Sequence, residues 1–173
     1  MQTPITYFFE DDGTVPNNPA LPMLVYKAAL DLSGSRDPEA DIEKLFDAND
    51  WGHGRWRNGI FPYAHYHSMI HEVLGIARGT AKVRFGGDRG EVLDLAPGDI
   101  AVLPAGTGHQ RLHASTDLMV IGGYPPSGTY DLCRGDRPAD RDRAVKTIPK
   151  VAVPETDPVG GKHGALTSLW RLA

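Results

Sequence analysis

Apolar and polar positions follow two rhythms along this chain. Between residues 38 and 49, Ile42, Leu45 and Phe46 recur at helical spacing, which puts them on one stripe of a short amphipathic helix. Asp37 followed by Pro38 supplies the start signal. An aspartate can cap the first free N–H groups, and proline suits the first helical position. Gly52 and Gly54 end the pattern. From 56 to 124 the rhythm shortens. Tyr63–Ser68, Glu72–Ala77, Lys82–Phe85, Glu91–Leu95, Ile100–Leu103, Gln110–Ala114 and Leu118–Tyr124 are runs of strand formers. Breaks at Gly59, Gly79, Gly86-Gly87, Pro97-Gly98, Pro104, Gly106 and Gly108 separate them. Strands at such regular short intervals predict an all-β sandwich or barrel rather than β-α-β units.

The flanks are less regular. Residues 5–9 and 24–30 read as strands, split by a proline-rich break over 16–22. Arg134–Arg143 interleaves four Arg with three Asp and reads as a solvated loop or face. Residues 149–164 are rich in Pro and Gly and read as irregular, and Leu166–Leu172 carries Trp170, which is expected to dock back onto the body. The expected organisation is one domain over 1–173. Its barrel core spans about 56–124, preceded by strands and a helix over 1–55 and followed by an extension over 125–173.

Composition narrows the classes. A chain of 173 residues can bury a core without disulfide or metal staples. Its 18 basic and 22 acidic residues give a net charge of −4, which argues against a nucleic-acid partner. The single cysteine, Cys133, excludes an intrachain disulfide framework. No run of 18 apolar residues is present, which predicts no membrane span. The first residues lack the basic and apolar regions of a secretory signal, so a cytoplasmic protein is expected.

The histidines change the picture most. Five of the seven, His65, His67, His71, His109 and His113, fall inside the β-rich block. On a strand, residues i and i+2 share a face. His65 and His67 therefore present two imidazoles to one side, and Tyr63 shares their parity. His71 and Glu72 need a closer look, because an unbroken strand would turn Glu72 away. Either the backbone bends or bulges near Ser68–Ile70 and delivers Glu72 inward, or His71 takes its place. A regular strand from His109 would align Arg111 and His113 with it. Arg111 would then favour an anionic group on a substrate. Tyr63, His71, Arg111 and His113 are thus candidate pocket residues.

Two constellations carry a resemblance. Gly59, His65-x-His67, Glu72 and Gly79 form one, and Gly98, Pro104-x-Gly106 and His109 form the other. Both resemble the two motifs of the cupin superfamily, and the run His65-Tyr-His-Ser-Met-Ile-His-Glu looks like that of a group of small bacterial cupins. One departure is His113, which fills the later Asn position of the second motif. The resemblance implies an antiparallel jelly-roll (double-stranded β-helix) barrel. It implies one divalent transition metal (Fe, Zn, Mn, Ni, Co or Cu) held by His65, His67, Glu72 and His109, with Glu72 preferred over His71. It further implies a homodimer and a small-molecule ligand inside the barrel. The expected activity is that of a metal-dependent oxygenase, isomerase or lyase, with a non-catalytic ligand-binding or sensing protein as the alternative. Three imidazoles and a carboxylate suit such metals better than Mg or Ca.

Overall fold

Alternating runs of strand formers fold here into two antiparallel sheets. The structure is a computed structural model, and it describes residues 2–171. In chain order the elements are β1 (Ile5–Tyr7), β2 (Met23–Tyr26), α1 (Pro38–Ala48), β3 (His53–Asn58), β4 (His65–Tyr66), β5 (Glu72–Arg78), β6 (Ala81–Phe85), β7 (Glu91–Leu95), β8 (Ile100–Leu103), β9 (His109–Ala114), β10 (Met119–Tyr124), β11 (Cys133–Arg134), α2 (Pro138–Thr147), a 3-10 turn (Ile148–Lys150) and α3 (Leu166–Leu169). A six-stranded sheet has the order β1-β2-β8-β5-β10-β3, and a five-stranded sheet has the order β11-β4-β9-β6-β7. All the pairings are antiparallel. This is the jelly-roll architecture expected from the sequence. No helix among the described residues is long and apolar enough to cross a membrane.

The sheets pack through one apolar layer. Met23, Val25, Leu74, Ile76, Leu103 and Val120 from the larger sheet meet Val83, Phe85 and Leu95 from the smaller. The alternate residues of the larger sheet, Leu24, Tyr26, Val73, Val102 and Ile121, form a second layer on its outer face with Ile42 and Phe46 of α1 and with Leu166 and Trp170. Both faces of β2 and β8 are therefore buried, and all their residues are apolar and inaccessible. The smaller sheet has no such cover: β6 alternates buried with exposed or partly exposed positions.

α1 begins where Asp37 and Pro38 predicted. The Asp37 carboxylate accepts from the Ala40 N–H at 3.0 Å. The C-terminal segment docks as expected, with the Trp170 indole donating to the Pro22 carbonyl at 2.9 Å. Other boundaries differ. The strand expected at Tyr63–Ser68 shrinks to His65–Tyr66, because the chain leaves the sheet there. The charge-dense 134–143 segment is not a loop throughout: α2 starts at Pro138 and buries Asp140 and Ala144. β3 starts at His53, upstream of the expected barrel, because it pairs with the edge of β10.

Candidate metal centre

Two short strands of the smaller sheet set the histidines. His65 on β4 pairs directly with His109 on β9, and their rings lie 4.0 Å apart between centroids. His67 follows β4 at the point where the chain turns. The corner is held by Asp131, whose carboxylate accepts from the Ser68 N–H (2.8 Å), the Ser68 hydroxyl (2.6 Å) and the Met69 N–H (3.2 Å). Past the corner the chain enters the other sheet as β5, with Glu72 first. Glu72, Leu74 and Ile76 face inward, and Val73 and Ala77 face out. Crossing between facing sheets therefore resolves the parity problem. The Pro104–Gly106 turn ties the two motifs together: the Gly106 N–H donates to the His67 carbonyl at 2.7 Å, and its φ of +95° is a conformation that favours glycine.

The ring nitrogens are sorted by their partners. Nδ1 of His65 lies 2.9 Å from the Tyr63 carbonyl, Nδ1 of His67 2.5 Å from the Asp131 carbonyl, and Nδ1 of His109 3.1 Å from the Thr107 carbonyl. A carbonyl only accepts, so each Nδ1 carries a hydrogen, and in the neutral ring the lone pair is left on Nε2. Ligand nitrogens of the three rings lie within 4.8 Å of one another. Nε2 of His67 and of His109 each stand 3.3 Å from Glu72 Oε2. That oxygen is buried and makes no aligned hydrogen bond. Its other oxygen, Oε1, accepts from the Tyr124 hydroxyl at 3.1 Å, and that hydroxyl accepts from the Trp56 indole at 3.0 Å. Donor atoms about 2.1 Å from one ion stand about 3.0–3.5 Å apart, so the observed 3.3 Å contacts fit a shared ion. The cluster of three buried imidazoles, with the carboxylate against two of them, can hold a divalent metal.

Electrostatics follow the burial. Burial, with His109 close by, pushes the His65 imidazole down to about 3, so it is neutral at ordinary pH. Burial works against charge on His67, but the Glu72 carboxylate overrides it and moves that group upward. Burial alone would raise Glu72. The His67 and His109 rings beside it hold its carboxyl well below the usual range instead. Burial, reinforced by the Glu72 charge, raises the Tyr124 phenol, which stays protonated.

These groups form one end of a cavity of about 500 Å³. Its walls are Trp56, Ile60, Phe61, Ile70, Leu74 and Tyr124. Its exposed edge includes His53, Phe61, Pro126, Gly128 and Tyr130. Trp56 pairs with Gly122 across the sheet, and a Cβ on Gly122 would sit 2.0 Å from the indole. Only glycine leaves room for that ring.

Of the four pocket candidates, none lines this cavity. Tyr63 packs outside it, stacked on Phe61 at 5.0 Å and capped by the Arg134 guanidinium at 3.9 Å. His71 is fully buried on the outer side of the sheet. It accepts from the Ala105 N–H at 2.9 Å and faces the Ala152 carbonyl at 3.2 Å. Arg111 turns aside, its Nε donating to the Ile60 carbonyl at 3.0 Å. His113 faces solvent because β9 carries a bulge: Val83 pairs with Arg111 and Lys82 with His113, which leaves Leu112 as an extra residue and flips the parity. Sequence reasoning missed Tyr124, Tyr130 and Asp131. Both faces of β10 are largely buried, so parity could not mark Tyr124 as a cavity residue. Asp131 is remote in sequence from the corner it holds.

No family model matches the chain. YjlB of Bacillus subtilis (strain 168), described as an uncharacterized protein, is 41% identical over 165 residues, covering 95% of each chain. The chain belongs to the family of YjlB. Among solved structures, this chain partly overlaps acireductone dioxygenase from Bacillus anthracis, with a TM-score of 0.39, 16% identity and coverage of 61% of this chain and 80% of that one. It overlaps the sugar 3,4-ketoisomerase QdtA from Thermoanaerobacterium thermosaccharolyticum with a TM-score of 0.37, 18% identity and coverage of 53% and 71%. For oxalate decarboxylase of Bacillus subtilis the values are 0.37, 13%, and 68% of this chain against 29% of that chain.

Proposed function

We propose that the protein is a metal-dependent enzyme of the oxygenase, isomerase or lyase class that acts on a small organic molecule in the cavity. One divalent transition metal is held by His65, His67, Glu72 and His109. The observation that carries this reading is the convergence of the donors. Each Nδ1 is committed to a carbonyl, and the buried Glu72 Oε2 has no hydrogen-bond partner while facing two Nε2 atoms. An ion bound there supplies Lewis acidity toward an oxygen of the molecule. The chain's own residues do the rest. Carbonyls fix the imidazole tautomers, and the Tyr124 hydroxyl holds the Glu72 carboxylate in place. Apolar walls keep water away from the charged end.

Elemental analysis of untagged protein, purified without nickel resin or chelator, tests this reading. The expected result is about one metal per chain, lost in His67→Ala. No metal as purified and none after reconstitution would refute it. Iron would direct screens toward oxygen consumption. Zinc, manganese or nickel would direct them toward isomerase and lyase substrates. A bound ligand recovered unchanged from every screen would favour a non-catalytic sensing role. We further propose a cytoplasmic homodimer paired through N-terminal strands, supported by the edge position of β1 and the exposed Ile5 and Phe8. A light-scattering mass of 18.8 kDa, that of one chain, would refute pairing.

A further inference from the structure

The cavity is charged at one end and uncharged elsewhere. Among its lining residues there is no Lys or Arg, and Glu72 is the single carboxylate. The arginine that the sequence suggested, Arg111, is tied to the Ile60 carbonyl outside it. Arg134 lies over the outer Tyr63 ring and reaches Asp136 at 3.1 Å. At the mouth, His53 is already engaged by Asp50 at 2.8 Å. The Tyr124 hydroxyl is occupied on both sides, donating to Glu72 and accepting from Trp56.

From this distribution we propose that the cavity selects an uncharged, ring-sized molecule that meets the metal through hydroxyl or carbonyl oxygens and carries no second charged group. The inference rests on the metal reading above. A divalent ion on three neutral imidazoles and one carboxylate leaves a single positive charge at that end. One hydroxyl of the ligand, releasing its proton to water as it binds, balances it. A carboxylate or phosphate elsewhere on the ligand would lie against Trp56, Ile60, Ile70 and Leu74 with no cation to pair it, and an unpaired charge in an apolar wall is strongly disfavoured. A volume of about 500 Å³ accommodates a substituted ring, within the range of small-molecule sites.

Two probes of nearly equal shape separate the alternatives. 4-Methylcatechol and 3,4-dihydroxybenzoate share a ring and a diol and differ by a methyl in place of a carboxylate. Each is titrated into desalted, zinc-loaded protein by calorimetry and by tryptophan fluorescence, which Trp56 reports from the cavity wall. The expected result is binding of 4-methylcatechol at least about tenfold tighter than of the acid. Phe61→Arg, at a rim position already 43% exposed, places a cation beside the wall. It should narrow or reverse that preference at unchanged zinc content. Equal or tighter binding of the acid to the wild type, or no binding of either ring, overturns the inference. Zinc content is measured on the same samples. Protein that does not retain zinc refutes the metal reading and this inference with it. Zinc-loaded protein that prefers the acid refutes this inference alone.

Discussion

Replacing Tyr124 with Phe removes a single oxygen from the cavity wall. That oxygen accepts from the Trp56 indole at 3.0 Å and donates to Glu72 Oε1 at 3.1 Å. Without it, a partly buried indole N–H has no partner and the Glu72 carboxylate loses the contact that fixes its rotation. A hydrogen bond to a charged group contributes about 1.5–3 kcal/mol, and an abandoned buried donor costs about 1–3 kcal/mol. The phenyl ring avoids the cost of burying a hydroxyl, so a net loss of about 1–3 kcal/mol is expected in the metal-free chain. A group that orients a metal ligand changes affinity by about 10–100-fold, which is about 1.4–2.7 kcal/mol. Two assays separate the effects. Urea unfolding of the metal-free protein reads stability, and competition against a chromophoric zinc chelator reads affinity. Trp56→Phe is the control. It removes the donor to Tyr124 but leaves the Tyr124–Glu72 contact, so zinc affinity should change by less than about threefold. Zinc binding by Tyr124→Phe within about twofold of the wild type would refute the claim that this hydroxyl positions Glu72.

Three further outcomes are expected. Asp131→Ala removes three hydrogen bonds from the 68–69 corner and should destabilise the chain by about 3 kcal/mol or more. A loss below about 1 kcal/mol in urea unfolding would contradict the role given to that carboxylate. Trp170→Ala empties a site only 1% exposed and should cost about 3–5 kcal/mol, read as a fall in thermal midpoint. An unchanged midpoint would mean that the C-terminal segment does not cover the sheet in solution. Burial, with Asp131 nearby, pushes the Cys133 thiol up from 9.0 to about 11. Its thiolate at pH 8 is then about 100-fold scarcer than in an unfolded chain. A disulfide-exchange reagent should label it only in denaturant, and fast labelling of native protein would refute its burial.

Much of the architecture was legible in the sequence because local signals agreed with the final packing. Asp37-Pro38 caps α1, and the alternating apolar runs became strands within a few residues of their expected ends. The same start signal occurs a second time in the chain. Pro138 stands at the first turn of α2 as Pro38 does in α1, but the arginines and aspartates after it masked the start of a helix. What could not be read was whatever depended on distant chain segments. The β9 bulge is visible only through its pairing with β6, and it alone turns His113 outward. His71 and Glu72 are adjacent residues that point to opposite sides of the sheet where the chain enters β5. Which face was the interior depended on the sheet that the chain had entered. Asp131 and Tyr124 acquire their roles only through folding, and no spacing links either of them to the histidines.

His71 ties the start of β5 to the C-terminal segments. It bridges the Ala105 N–H and the Ala152 carbonyl and lies 4.8 Å from the Trp170 ring, while its neighbour Glu72 faces the histidines. The corner between them waits for Asp131, and its backing waits for residues 152 and 170. A growing chain therefore carries His65 and His67 out of the ribosome well before the segments that lock them into position. The pair around β4 is thus made first and fixed last, once residues 131, 152 and 170 have followed it.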